Sequence, residues 1–130
     1  MLFSCDLDLV VVATAIENLT EAATNIFKVE KFPHSVNLSS PKSDLRIQVQ
    51  TDPRYQAFIP NSSVKEVMGY SMKVAALEDV LQGKIWAYTD EQRRMSKRQK
   101  DLADIFRFIE AYPHLKDILP ASLKNRLETD

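Results

Sequence analysis

Glycine is nearly absent from this chain, since only Gly69 and Gly83 occur in its 130 residues. Loops that wrap a phosphate need several closely spaced glycines, because only glycine lets the backbone approach a ligand so closely. Two glycines that are far apart cannot build such a loop. A P-loop and a dinucleotide-binding fingerprint are therefore excluded.

Cysteine, histidine and long apolar runs are also scarce. The single cysteine cannot form an internal disulfide, and the two histidines lie too far apart in sequence to suggest a Cys/His zinc site. The longest apolar run, residues 9–13, is far shorter than the ~20 residues of a membrane-spanning helix. With no signal peptide expected either, we predict a cytoplasmic protein without a membrane partner.

Neither sign of charge dominates. Lysine and arginine number 17 against 18 aspartates and glutamates, so the chain as a whole is not a polycation for nucleic acid. The hydrophobic fraction of 45% and the charged fraction of 27% are those of an ordinary soluble globular protein. The length suits one domain, residues 1–130.

The hydrophobic period divides this domain into a strand-rich part, residues 1–74, and a helical part, residues 75–130. Alternation predicts strands over 5–13, 32–38 and 44–50, and a hairpin of 64–67 with 70–74. A period of 3.6 predicts helices over 14–28, 75–88 and 96–112, with short helices at 114–119 and 121–128. Thr14 and Glu17 have the spacing of a capping box at the first helix.

Three aspartates in the strand-rich part are candidates for metal chemistry. Asp6 and Asp8 are two positions apart on a predicted strand and therefore point to the same face. Mg²⁺ is typically held by one or two carboxylates together with substrate phosphates. Asp44 begins the 44–50 strand, and if this strand pairs beside the first, three acids would suit a two-metal phosphoryl-transfer site. The alternatives, a solvated strand edge and a turn residue before a strand, stay open.

A basic segment followed by acids is the second candidate site. Residues 93–100 carry five cations and no acid, and Asp101 and Asp104 follow. The i,i+4 spacing predicts ion pairs of Lys97 with Asp101 and of Lys100 with Asp104. One interpretation is a cationic site for a triphosphate or a nucleic-acid backbone. The other is a solvated helix start with weak surface ion pairs, although cations there oppose the helix dipole.

Three segments together resemble a known family. They are residues 6–10 (Asp-Leu-Asp-Leu-Val), 76–84 (Ala-Leu-Glu-Asp-Val-Leu-Gln-Gly-Lys) and 98–105 (Arg-Gln-Lys-Asp-Leu-Ala-Asp-Ile). In this order they are similar to the minimal nucleotidyltransferases, in particular the AbiEii-type toxin branch of the polymerase-β-like superfamily. The similarity covers almost the whole chain, and its most specific part is Arg-X-Lys-Asp-X-X-Asp-Ile. It implies an α+β fold, in which a small mixed β-sheet carries the acids and a C-terminal helical bundle backs it.

The resemblance also implies an activity, the Mg²⁺-dependent transfer of a nucleoside monophosphate from an NTP to an RNA or protein acceptor in a toxin–antitoxin setting. Asp6 and Asp8 match the metal-binding and catalytic pair. Asp44 is the third acid, with Asp52 as the alternative. The matching nucleotide-binding positions are Lys84, Arg98, Lys100, Asp101 and Asp104.

One element of the family pattern is missing from this sequence. The family places a Gly-Ser or Gly-Gly turn roughly ten residues before the Asp-X-Asp pair, where its backbone N–H groups hold the triphosphate. Only five residues precede Asp6, and none of them is glycine. The alternative hypothesis is therefore a catalytically degenerate homologue that acts as a protein- or nucleic-acid-interaction module. Such a homologue would dimerise over an open sheet edge or use the basic patch at 93–100.

Overall fold

The computed structural model describes residues 5–129. The chain divides between Ser62 and Ser63 into two compact units. Both units contain strands and helices, so the predicted α+β class is confirmed. The predicted hairpin belongs to the second unit together with the helices. Within residues 5–129, no helix is long and apolar enough to cross a membrane.

The first unit contains a mixed four-stranded sheet and one α-helix. Its elements are β1 (Cys5–Val10), α1 (Ile16–Ala23), β2 (Lys28–Phe32), β3 (Ser35–Ser40), β4 (Ser43–Gln50) and a 3-10 helix (Pro53–Phe58). The strand order is β1-β4-β3-β2, in which β1 runs parallel to β4 and the other pairs are antiparallel. Strands β1 and β2, which follow each other in the chain, therefore lie at opposite edges of the sheet.

Helix α1 covers one face of this sheet. Ala23 at the end of α1 is buried together with Val36, Leu38 and Val49 of the central strands. In β4 the apolar side chains at alternate positions point to this core, because successive side chains of a strand point to opposite faces. The intervening polar residues of β4 consequently lie on the face that α1 does not cover.

Three sequence predictions in this unit were wrong in their bounds. Strand β1 ends at Val10, because the Gln56 amide holds the chain that follows: its Nε2 donates to the Val11 carbonyl at 2.8 Å and its Oε1 accepts from the Ala13 N–H at 3.0 Å. Helix α1 spans Ile16–Ala23 and not the predicted 14–28, and it begins without a side-chain cap, so the predicted capping box does not form. The predicted strand 32–38 is in fact two strands joined by a turn at residues 33–34.

The second unit consists of a hairpin and a group of helices. Its elements are β5 (Ser63–Val67), β6 (Tyr70–Val74), α2 (Leu77–Thr89), α3 (Met95–Ala111), a 3-10 helix (Pro113–Ile118) and α4 (Ala121–Thr129). The bounds agree with the predicted hairpin and helices to within about two residues, the usual uncertainty of helix ends. The buried core comprises Leu81, Ile85, Leu102, Ile105, Ile109, Leu115, Leu119 and Leu123.

Candidate functional site

The strand pairing brings the predicted acids to one pair of strands. Strand β1 lies beside β4 in parallel, with Asp6 opposite Arg46 and Asp8 opposite Gln48. Asp44 immediately precedes Leu45, which is opposite Cys5, so Asp44 lies at the end of the pair where Asp6 lies. The pairing of these two strands was the condition on which the three-acid hypothesis depended, and it is met.

Asp6 and Asp8 lie on the sheet face that α1 leaves uncovered. Both are exposed, as is Arg46 beside them. The two rows of side chains that cross this face are Asp6–Arg46–Ser39–Lys28 and Asp8–Gln48–Asn37–Glu30. The face is therefore polar throughout these rows, and the cation of Arg46 stands next to the acid pair. Arg46 was not predicted as a site residue, although it occupies the polar side of the same alternating strand.

The three predicted acids are not grouped as a metal site made of protein ligands alone. Among residues 5–129, no three His, Cys, Asp or Glu side chains are grouped closely enough to hold a metal ion between them. Asp44 lies at an irregularity of β4, where the pairing with β3 jumps from Ser39–Arg46 to Ser40–Ser43. Two carboxylates completed by phosphate oxygens are nevertheless a common environment of Mg²⁺.

Asp52, the alternative third acid, has a structural role. It is 8% exposed and begins the 3-10 helix, where its Oδ1 accepts from the Arg54 backbone N–H at 2.9 Å. The Arg54 guanidinium donates to the same carboxylate at 2.9–3.2 Å. Hydrogen bonding from the Arg54 side chain outweighs burial and holds the pKa of Asp52 below its ordinary value. Asp44 therefore remains the predicted third acid.

In the second unit, Asp101 forms a buried ion pair with Arg93. Asp101 is 2% exposed, and it accepts from Arg93 Nε at 2.7 Å and from Arg93 Nη2 at 3.4 Å. The predicted partner, Lys97, was wrong: it is exposed and makes no ion pair with any residue in the described range. Asp101 faces the packed side of α3, which Arg93 reaches from the loop before the helix.

Asp104 joins the two long helices. Lys84 of α2 donates from Nζ to Asp104 Oδ2 at 3.1 Å, and Arg107 donates to Oδ1. Partial burial raises the pKa of the Asp104 carboxyl, but hydrogen bonds from Arg107 and Lys84 outweigh it, so the pKa lies below its ordinary value. The predicted pair with Lys100 was wrong, because cations on both sides of the carboxylate already occupy it.

Arg98 closes the C-terminal end of α2. Its Nε donates to the Tyr88 carbonyl at 2.8 Å, one of the last carbonyls of the helix, which lack partners within it. The guanidinium carbon lies 5.6 Å from the centroid of the Tyr88 ring, within the range of a cation–π contact. The Tyr88 hydroxyl in turn accepts from Arg126 Nη1 of α4 at 3.2 Å. Tyr88 thus connects three helices.

The basic-acidic segment is therefore largely committed to internal contacts. Four of the five residues predicted to bind nucleotide have partners within the second unit: Lys84 and Asp104 join α2 to α3, Arg98 bonds the end of α2, and Asp101 holds the loop before α3. Lys100, the fifth, is exposed. Together with Arg94 and Lys97 it forms the exposed cation group of α3, and none of these three pairs with an acid within residues 5–129.

Two surface concavities lie away from the three acids. One of about 630 Å³ in the first unit borders α1 on the opposite side of the sheet, with Glu17, Glu21 and Lys31 among its walls. The other, of about 290 Å³, is lined by Lys84, Asp104, Arg107, Phe108, Ala111 and Tyr112. Neither contains Asp6, Asp8 or Asp44.

Comparison with known proteins adds no relative. No protein-family model, no curated protein sequence and no solved structure matches this chain. The geometry and the chemistry of the residues described above are therefore the basis for a functional proposal.

Proposed function

We propose that this protein is a nucleotidyltransferase-like domain that binds an NTP with Mg²⁺ on the polar face of its four-stranded sheet. The observation that supports this is the parallel pairing of β1 with β4, which puts Asp6 and Asp8 on one exposed face and Asp44 at the same end. The proposal includes transfer of a nucleoside monophosphate to an RNA or protein acceptor. The similarity of the three sequence segments to AbiEii-type toxins supports that part.

Four residues have roles in this proposal, Asp6, Asp8, Arg46 and Asp44. Asp6 and Asp8 hold the cation through their carboxylates, and Arg46 beside them contacts a phosphate oxygen through its guanidinium. Asp44 supplies the carboxylate for a second cation at the same end of the strands. Mg²⁺, when bound, neutralises charge that develops on the phosphate during transfer.

The first experiment measures binding. Titration calorimetry with each of the four NTPs is expected to give saturable heat only when Mg²⁺ is present, and Asp6→Asn is expected to abolish it. Glu30→Gln is the matched control, because it removes one negative charge from the same face at the opposite edge, on β2. Absence of heat with every NTP would contradict the proposal, as would an equal loss in the Glu30→Gln variant.

A second experiment separates binding from turnover. NTPs labelled at the α-phosphate are offered with RNA and with the protein itself as acceptors, and transfer of label is expected to require Asp6, Asp8 and Asp44. Label transfer by the wild type and its loss in each Asn variant would support the transferase. Mg²⁺-dependent binding without any transfer would instead favour the catalytically degenerate alternative.

The exposed cation group of α3 favours a second candidate function, nucleic-acid binding. Arg94, Lys97 and Lys100 can each contact a phosphate, and each such contact steepens the salt dependence of binding. Replacement of Arg94 and Lys97 by alanine is expected to abolish a salt-dependent RNA or DNA gel shift, which Asp6→Asn leaves intact. Lys42→Ala, an exposed lysine in the β3–β4 turn, is the control. Retained binding without Arg94 and Lys97 would refute this function.

A further inference from the structure

The β5–β6 hairpin has open edges on both sides. Within the described residues, β5 and β6 pair only with each other. Every residue of β5 is exposed, and Val64 and Tyr70 are 67% and 73% exposed. A two-stranded hairpin is marginally stable alone, and an apolar open strand invites pairing with another chain. The hairpin therefore lacks the cover that such strands normally have.

The tip of the hairpin carries a strained apolar residue. Met68 and Gly69 form the two-residue turn, with φ of 52° and 86°. Such turns favour Asn or Gly at the first position, because a side chain is strained at positive φ. Met68 is nevertheless 94% exposed, so contacts within the chain do not offset this strain. Non-glycine residues at positive φ are often found at functional sites, so the exposed Met68 side chain is a candidate for a contact with another molecule.

The two faces of the hairpin differ in polarity. The paired residues on one face are Val67 with Tyr70, Lys65 with Met72 and Ser63 with Val74. The other face carries Val64 with Lys73 and Glu66 with Ser71. The three residues that β6 contributes to the first face, Tyr70, Met72 and Val74, thus all have large apolar side chains.

The hydrogen-bond pattern decides which groups are free along β6. The turn hydrogen bond joins Val67 and Tyr70, and hydrogen-bonded and non-hydrogen-bonded pairs alternate along an antiparallel ladder. The backbone N–H and C=O groups of Ser71 and Lys73 therefore point away from β5. On β5, the corresponding outward groups belong to Val64 and Glu66.

Strand β6 suits antiparallel pairing with its own copy about a two-fold axis over its whole length, whereas β5 does not. Centring the pair on Met72 puts Ser71 opposite Lys73 and Tyr70 opposite Val74 of the partner subunit, so no like charges meet. In β5, the one register that pairs all five residues of the strand puts Lys65 opposite Lys65. Like charges directly opposite each other destabilise a strand pair.

We propose that the protein forms a homodimer in which β6 pairs with β6 of a second copy, giving a four-stranded antiparallel sheet. Ser71 and Lys73 exchange backbone hydrogen bonds with the partner strand, and the apolar faces of the two hairpins become continuous. This register also brings each hairpin tip level with residues 75–77 of the partner subunit, where Leu77 is 39% exposed. We expect Met68 to contact this segment of the partner subunit.

The first test is the oligomeric state across a range of concentrations, measured by sedimentation equilibrium. The interface is a single strand pair, smaller than the about 1,000 Å² of stable interfaces, so a concentration-dependent dimer is expected. Ser71→Pro removes a backbone N–H that points away from β5 and makes no hydrogen bond within the hairpin. Association should weaken about tenfold, because each of the two subunits loses one hydrogen bond across the interface. Glu66→Pro makes the same change on the β5 edge and should leave association unchanged.

Three outcomes of this test would overturn the proposal. They are a monomer at every concentration, equal weakening by both proline substitutions, and a dimer that Ser71→Pro does not weaken. Circular dichroism of each variant reports whether the chain remains folded.

The second test fixes the register and does not depend on affinity. In a non-hydrogen-bonded pair the Cβ atoms are about 4.5–5.5 Å apart, close to the separation that a disulfide spans. In a Cys5→Ser background, Met72→Cys is expected to form a covalent dimer on oxidation. Ser71→Cys, one residue away, faces Lys73 of the partner subunit and should form no covalent dimer. Equal cross-linking at both positions, or none at Met72→Cys, would contradict the proposed pairing.

Discussion

The acids of the four-stranded sheet and the charges around α3 differ in what surrounds them. Asp6 and Asp8 are exposed on a polar face, whereas Asp101 is 2% exposed and Asp104 is held between two cations. In the sequence, both sets were candidates for nucleotide chemistry. In the fold, the α3 set stabilises the second unit, because Asp104 joins α2 to α3, Arg98 bonds the end of α2, and Asp101 holds the loop before α3. The carboxylates of Asp6 and Asp8 are exposed on the sheet, so a ligand can reach them.

Asp101→Asn should have the largest effect on stability. It leaves the partly buried Arg93 guanidinium without its carboxylate, and breaking a buried pair by removing one partner typically costs several kcal/mol. Because Arg93 retains some exposure, we expect a loss of about 2–3 kcal/mol in the free energy of unfolding. Urea denaturation measures it.

Lys97→Ala is the control for this prediction. Lys97 was the partner predicted from the i,i+4 spacing, and it is exposed. We expect a change within about 0.5 kcal/mol, as for ordinary surface substitutions. If the two variants lose equal stability, the assignment of Asp101 to Arg93 is wrong.

Arg98→Ala should have the next largest effect. It removes the hydrogen bond to the Tyr88 carbonyl and the contact of the guanidinium with the Tyr88 ring. These contributions together predict a loss of about 1–2 kcal/mol in the free energy of unfolding. Arg94→Ala, an exposed arginine one turn earlier, is the matched control, and a loss as large as that of Arg98→Ala would contradict a specific role for Arg98 at the end of α2.

The pH dependence of stability is a smaller effect with a definite sign. The folded-state pKa of Asp104 lies below its ordinary value, about 3.9 in an unfolded chain. The stabilisation is therefore complete above the unfolded pKa and is lost as the pH falls through the folded pKa. Wild-type stability should fall more steeply than that of Asp104→Asn between about pH 5 and pH 2. Parallel curves would show that the Lys84–Asp104–Arg107 contact contributes no pH dependence.

Local patterns predicted much of the fold. Strand β4, the hairpin turn at Met68 and Gly69 and the helices of the second unit follow from periodicity and turn chemistry within short windows. The end of β1 could not be predicted in this way. The Gln56 side chain that ends it lies 45 residues from Val11 in the sequence, and no local pattern reports such a contact.

The candidate sites show the same limit. The i,i+4 rule selected Lys97 and Lys100 as partners for the acids of α3, but the actual partners include Arg93 before the helix and Lys84 on α2. Side chains from other elements compete with those on the same helix, and a buried carboxylate such as Asp101 needs a cation that can reach it on the packed side of the helix. The pairing of β1 with β4 was stated from sequence only as a condition, since neighbours in a sheet depend on the topology of the whole unit.

Asp6→Asn should have the smallest effect on the stability of the ligand-free protein and a large one on its response to ligand. Asp6 is exposed and faces Arg46 across the strands, so its replacement should leave the free energy of unfolding almost unchanged. Binding of a ligand to the folded state alone adds RT ln(1 + [L]/Kd), about 2.7 kcal/mol at one hundred times Kd. Wild type and Glu30→Gln should therefore gain stability with Mg²⁺ and NTP, whereas Asp6→Asn should gain none. If Asp6→Asn is stabilised as much as the wild type, the ligand binds elsewhere, and the exposed acids of β1 have no more functional role than the paired acids of α3.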